Sequence, residues 1–173
     1  MATMFQQSAT QSPQMYAPTV RTRLDLANAW MSTFNHWDLP SMLGYMTEAQ
    51  DFNYGYMPAS LGMAPKSRRE YLHYSSFMKN VIPNLEINII SVHDSAGPGG
   101  PVVAHVEGRA ISTRTGAPFY QEYMMLIYIR SERGQLKIHH VDEFADTRFV
   151  HEYFTAEKQH GRRAMATSSC SKL

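Results

Sequence analysis

Residues 102–146 hold three long alternating runs, Val102–Ser112, Pro118–Arg130 and Gln135–Ala145, joined by two short turns. The turns, Thr113-Arg114-Thr115-Gly116 and Ser131-Glu132-Arg133-Gly134, both close on glycine, which takes positive φ at no steric cost where a hairpin needs it. Nearly all helical signals lie upstream of these runs. Helices first and an antiparallel meander last predict an α+β domain and exclude a parallel doubly wound one. Such a sheet, curled over its helices, forms a pocket open at one end, and the period-2 alternation of its strands nominates the residues facing inward.

A chain of 173 residues has enough length for one domain with a core that needs no disulfides. Sixteen Lys and Arg against 15 Asp and Glu leave a formal charge of +1, so nucleic-acid binding is not expected. The single cysteine, Cys170, supplies neither a disulfide framework nor a thiolate cluster. No apolar run is long enough to span a bilayer. Residues 1–18, rich in Gln, Ser, Thr and Pro, read as a flexible arm, residues 19–155 as the folded domain, and residues 156–173 as a flexible tail. The tail ends in Ser171-Lys172-Leu173, the address read by the peroxisomal import receptor. It predicts a peroxisomal location and a eukaryotic source.

The spacing of Leu24, Ala27, Trp30 or Met31, and Phe34 predicts a helix over Val20–Trp37. Asp38 and Pro40 open a second helix, and Ser67 to Glu70 forms a capping box for a third, about Arg68–Asn80. Short strands are expected over Asp51–Met57 and Leu85–His93. This order, with Phe34-Asn35-His36-Trp37-Asp38, Tyr54–Pro65 running into Arg68-Arg69-Glu70, Gly116 with Gln121-Glu122-Tyr123, and Gly134–Ile138 leading to Asp142–Asp146, resembles the nuclear-transport-factor-2-like superfamily over roughly residues 20–150. Within it, the chain looks like the SnoaL-like polyketide cyclase and ketosteroid isomerase branch, and most like small fungal members of secondary metabolism. The resemblance implies a cone of three N-terminal helices packed on a strongly curved, mostly antiparallel sheet.

By register with that branch, His139, Val141 and Glu143 face into the cup, as do Gln121, Tyr123, Met125, Ile127 and Ile129. Small Val106, Gly108 and Ala110 leave room for a ligand. The opposite face, with Tyr120, Met124, Leu126 and Tyr128, is too apolar to stay wet and predicts a homodimer through the outer sheet. A single bulge inverts any such assignment.

His139 and Glu143 are the expected acid–base pair, since an imidazole titrates near neutrality and burial raises a carboxyl toward it. Otherwise His139 is a hydrogen-bonded wall and Glu143 a partner of Arg68 or Arg69. The branch carries its carboxylate base near Tyr54–Tyr56, where this chain has only Asn53 and two tyrosines. That departure favours Tyr54, Tyr56 and Tyr123 as donors to a developing oxyanion, with aromatic packing as their plainer role. His73 is a further catalytic candidate unless Tyr71, Tyr74 and Met78 form the inward stripe of its helix. Trp30, Phe34, Phe52, Phe77, Met125 and Ile127 are the expected substrate-pocket walls.

Strand alternation splits His139 and Glu143 from His140 and Asp142, so no metal is expected, and no glycine loop suits a nucleotide cofactor. The function these features and the resemblance imply is a cofactor-independent isomerase or cyclase acting on an apolar polyketide- or terpenoid-like small molecule. A dehydratase of the scytalone-dehydratase type, or a non-catalytic ligand-binding or dimerisation protein, is the alternative.

Overall fold

The computed structural model describes residues 22–170 apart from 49, 96 and 98, with side chains described through residue 160. The expected arm, residues 1–18, and the Ser171–Leu173 signal lie outside the described residues. Helix α1, Arg23–Ser32, starts later than its apolar spacing predicts because Thr22 and Asp25 close a capping box across its first turn. It tightens into a 3-10 turn, Thr33–His36, and stops at Trp37, which adopts left-handed φ of 47°. Asp38 caps α2, Leu39–Tyr45, and Ser67 with Glu70 caps α3, Arg68–Val81.

The strands are β1 Asn53–Met57, β2 Glu86–Asp94, β3 Val102–Ile111, β4 Pro118–Glu132 and β5 Gln135–Ala145. They form one sheet in the order β1-β5-β4-β3-β2, with β1 parallel to β5 and every other pair antiparallel. This is the α+β layering expected from the meander. Alternation on β3 and β4 holds throughout. Val102, Ala104, Val106, Phe119, Gln121, Met125 and Ile127 are buried, while Tyr120, Met124 and Ile111 are exposed on the other face. The room expected above Gly108 is taken up by Ile87, Leu85 and Tyr123, whose carbons lie 3.3–3.4 Å from where a Cβ would stand.

Strand β5 breaks alternation. Tyr128 pairs with His140 and Ile129 with Ile138, so His139 is the extra residue of a bulge. Ile138 and Val141, three apart, are therefore both fully buried, which strict period 2 forbids. Ile138 takes the inward place that sequence alternation assigns to His139. Beyond the bulge the expected register returns, and Val141 and Glu143 point inward.

A fourth helix, α4 Thr147–Cys170, runs through the region expected to be a tail from residue 156. Its first turns are amphipathic: Phe149 and Tyr153 stack on each other 5.5 Å apart, and each meets Phe119 of β4 edge-on. Glu157, 2% exposed, accepts from the Thr115 hydroxyl on the β3–β4 turn. The helix is thus held against the open end of the sheet. None of the described helices is long and apolar enough to cross a membrane.

Candidate functional site

The site is built around one carboxyl. Glu143 projects from β5 into the space between the sheet and α3, and β1, parallel to β5, sets Tyr54 beside Val141 and Tyr56 beside Glu143. The Tyr54 hydroxyl donates to Glu143 Oε2. Tyr54 is fixed in turn by stacking on Tyr71 of α3, 4.2 Å between ring centres. Burial and the Glu143 charge hold the Tyr71 phenol far above its ordinary range, against the opposing influence of the Tyr54 and Ser75 hydroxyls. Tyr74, Tyr56 and Tyr123 complete an aromatic ring around the carboxyl.

Burial dominates the electrostatics. It pushes the Glu143 carboxyl up to about 7, against the weaker opposing pull of the Tyr54 hydroxyl and the Lys66 ammonium. Lys66 is placed by a backbone bridge to Tyr54 and lies over the Tyr56 and Tyr74 rings at 5.0 and 5.3 Å. Burial, then the Glu143 charge, holds Tyr54, Tyr74 and Tyr123 far above the ordinary phenol range. Near neutrality these tyrosines are donors, and Glu143 is the group able to exchange a proton.

Two small chambers flank the carboxyl, about 60 Å³ and about 20 Å³, with Tyr74, Met78, Phe119, Tyr123 and Glu143 in the walls of both. The first reaches toward Phe34, Trp37 and Met125, the second toward Tyr56 and Gln121. A single layer of Leu61, Met63, Tyr74, Val150 and Phe154 separates the second from an outer groove of about 340 Å³. The loop 58–65 and α4 therefore roof the cup.

No protein-family model matches the chain, and no curated protein matches it in sequence. Solved structures do match in three dimensions. BvnE pinacolase from Penicillium brevicompactum superposes with a TM-score of 0.63 at 22% identity, covering 81% of this chain and 96% of that one. PrhC from Penicillium brasilianum gives 0.66 at 17% identity over 80% and 90%. A ketosteroid isomerase-like protein from Erwinia carotovora atroseptica gives 0.54 at 20% identity over 69% and 90%. The fold is nuclear-transport-factor-2-like.

Within this nuclear-transport-factor-2-like cup the expected site residues separate into three groups. Glu143, Tyr54, Tyr56 and Tyr123 converge, joined by Phe34 and Met125 in the walls. His139 does not join them: the bulge turns it to a half-exposed position, where its closest charged influences are Arg130, Asp51 and His140, and its ring lies 6.4 Å from Tyr128. His73 is exposed on the outer flank of α3, and Phe77 is 43% exposed, because Tyr71, Ser75, Met78 and Val81 take the buried stripe. Trp30, Phe52 and Ile127 are packed behind the walls rather than in them; Trp30 is fully buried, edge-on to Phe34 at 5.1 Å. Arg68 donates to the Leu43 carbonyl, so Lys66 is the cation that acts on Glu143.

The helical spacing of Tyr71, Tyr74 and Met78 already pointed to part of this wall. Trp37, Leu61, Met63 and Phe154 were not nominated; of these, only Phe154 had a legible signal, its apolar spacing from Val150. Among the described residues no cluster of three or more His, Cys, Asp or Glu could hold a metal ion.

Proposed function

We propose that the protein is an isomerase or cyclase of a small, largely apolar molecule, with Glu143 as its proton-transfer group. What carries this is a buried carboxyl raised to about 7 and held by a tyrosine hydroxyl inside an aromatic chamber. In the ionised state Glu143 removes a proton from carbon. The C–H electron pair moves into the substrate's π system, and the Glu143 proton returns to a different atom, giving an isomer or closing a ring with no net gain or loss. Tyr54 stabilises the carboxylate that starts the cycle. The aromatic walls exclude water and hold the substrate in one shape, which for a cyclisation supplies much of the barrier reduction.

The closed chambers are smaller than a polyketide or terpenoid. Substrate enters from the outer groove as the Leu61, Met63 and Phe154 layer parts. A secondary-metabolite substrate is the reading in keeping with the pinacolase and the polyketide cyclase among the structures that share the fold. The test is the pH profile of kcat/KM. It is expected to rise through about pH 7 and level off above, because only ionised Glu143 can accept the proton; a profile flat from pH 5 to 9 would overturn the assignment.

The exposed Tyr120, Met124 and Phe144 on the outer sheet face support a homodimer, to be checked by sedimentation, where a monomer at all concentrations would refute it. Peroxisomal import rests on Ser171-Lys172-Leu173, and deleting those residues should leave a fluorescent fusion in the cytosol.

A further inference from the structure

Two hollows lie outside the roof of the cup and share Tyr74 and Phe77 as a common wall. One is the apolar groove of about 340 Å³ bounded by Leu61, Met63 and Phe154. The other, about 810 Å³, runs past the start of α3. Charge around them is one-sided. Lys66, Arg69 and Lys158 line them together with His73 and His151, in a chain whose formal charge is only +1. Among the described residues the one carboxylate lining either hollow is Glu70, and the Ser67 amide and hydroxyl both donate to it. That capping box engages the Ser67 and Glu70 amides, so this helix start is not free to cradle a phosphate. Lys66 stands apart from the other cations. Two backbone hydrogen bonds to Tyr54, both 2.9 Å, fix its main chain. Its half-buried ammonium lies over Tyr56 and Tyr74, whose rings also wall the inner chamber that holds Glu143. It makes no ion pair among the described residues. A cation is thus built into the doorway between the outer hollows and the reacting carboxyl.

We infer that Lys66 binds a carboxylate carried by the substrate, which makes the substrate an apolar acid. The inference rests on the isomerase or cyclase reading and deepens it by naming a substrate class. The apolar body fills the groove and passes Leu61, Met63 and Phe154 toward Glu143, while the anionic end stays at the mouth. An ammonium and a carboxylate that meet against aromatic faces, partly out of water, form a charge-assisted hydrogen bond stronger than one on open surface. The more exposed Arg69 and Lys158 raise the local concentration of an anion without fixing its position. The arrangement also sets the direction of entry. An anionic end leading into the chamber would be repelled by ionised Glu143, so the molecule enters with its apolar end first.

The experiment titrates the full chain with octanoate and with octan-1-ol, a neutral molecule of the same apolar length. Calorimetry at about pH 6 keeps most of Glu143 protonated. Octanoate is expected to bind about tenfold more tightly than the alcohol, the worth of one hydrogen bond to a charged group. Lys66→Met should erase that preference and leave octan-1-ol affinity within about twofold, which also shows that the groove is intact. Lys66→Arg keeps the charge and should keep the preference. Equal affinity for the two ligands in the parent, or a preference that survives in Lys66→Met, would overturn the carboxylate site. So would a preference lost in Lys66→Arg as well, since packing rather than charge would then be its cause. Displacement of octanoate by equimolar inorganic phosphate would mark a general anion site and overturn it too. Binding is read here without turnover, so its failure leaves Glu143 to be judged by the pH profile. Glu143→Gln should lose turnover and keep the octanoate preference.

Discussion

Glu143→Gln is expected to lower kcat by about 10²–10⁴-fold, the usual contribution of a positioned acid or base, while the protein stays folded. The amide keeps the size of the carboxyl and can still accept from Tyr54. It cannot take a proton at any working pH. The same substitution reports on stability. The folded carboxyl titrates at about 7 against an ordinary value near 4.5, so burial penalises its ionised form. The stability of the parent protein is therefore fully present below about pH 4.5 and falls as pH rises toward 7. The loss is roughly 3 kcal/mol, at 1.36 kcal/mol for each tenfold change in proton affinity.

Glu143→Gln should abolish that fall and melt above the parent at pH 8. Melting curves from pH 4 to 8 decide it, and equal slopes in the two proteins would show that Glu143 is not a buried, raised carboxyl. Tyr54→Phe removes a donor that favours the ionised form, so the rise of kcat/KM should move to higher pH. By contrast His139→Ala, displaced from the cup by the bulge, should keep turnover within a few-fold of the parent.

Trp30→Ala is expected to cost about 3–5 kcal/mol of stability, a large part of what a domain of this size possesses. Trp30 is fully buried and meets Phe34 edge-on, so truncation opens a void in the middle of the helix–sheet interface. A tryptophan lining a ligand pocket would instead chiefly affect substrate affinity. Chemical denaturation, with its midpoint and slope, distinguishes the two. A midpoint change worth under about 1 kcal/mol would mean that Trp30 is not the core residue that its burial indicates.

The inward residues of β4 were legible because a strand has a fixed period. From Phe119 to Ile129 alternation runs without interruption, and Tyr123 and Met125 fell on the side expected. Tyr54 and Tyr56 were nominated through the resemblance to the isomerase branch, and their spacing of two on β1 sets both toward Glu143. His139 was misplaced because a bulge depends on how β4 and β5 pair, and neither strand alone records it. His73 lies at the surface, and Phe77 lines the outer groove rather than the inner chambers, because α3 carries aromatic or histidine side chains on more than one flank. Which flank is buried depends on where the sheet lies. Helix α4 was missed although Phe149 and Val150 recur four residues later as Tyr153 and Phe154, a helical spacing set against a polar, charged remainder.

Local chemistry in the chain therefore determined the order of the elements, the caps of α2 and α3, the glycine-closed hairpins and the α+β class, since each arises from residues close in sequence. The union of Glu143 with Tyr54, Tyr71, Tyr74 and Tyr123, and the small chambers beside it, were decided only by tertiary structure. They come from β1, α3, β4 and β5, whose proximity is created by parallel pairing of β1 with β5 and by the layer of helix and loop that covers the cup. The proton affinity of Glu143 belongs to the same class: a carboxyl is ordinary in sequence, and only enclosure away from water makes it titrate near neutrality.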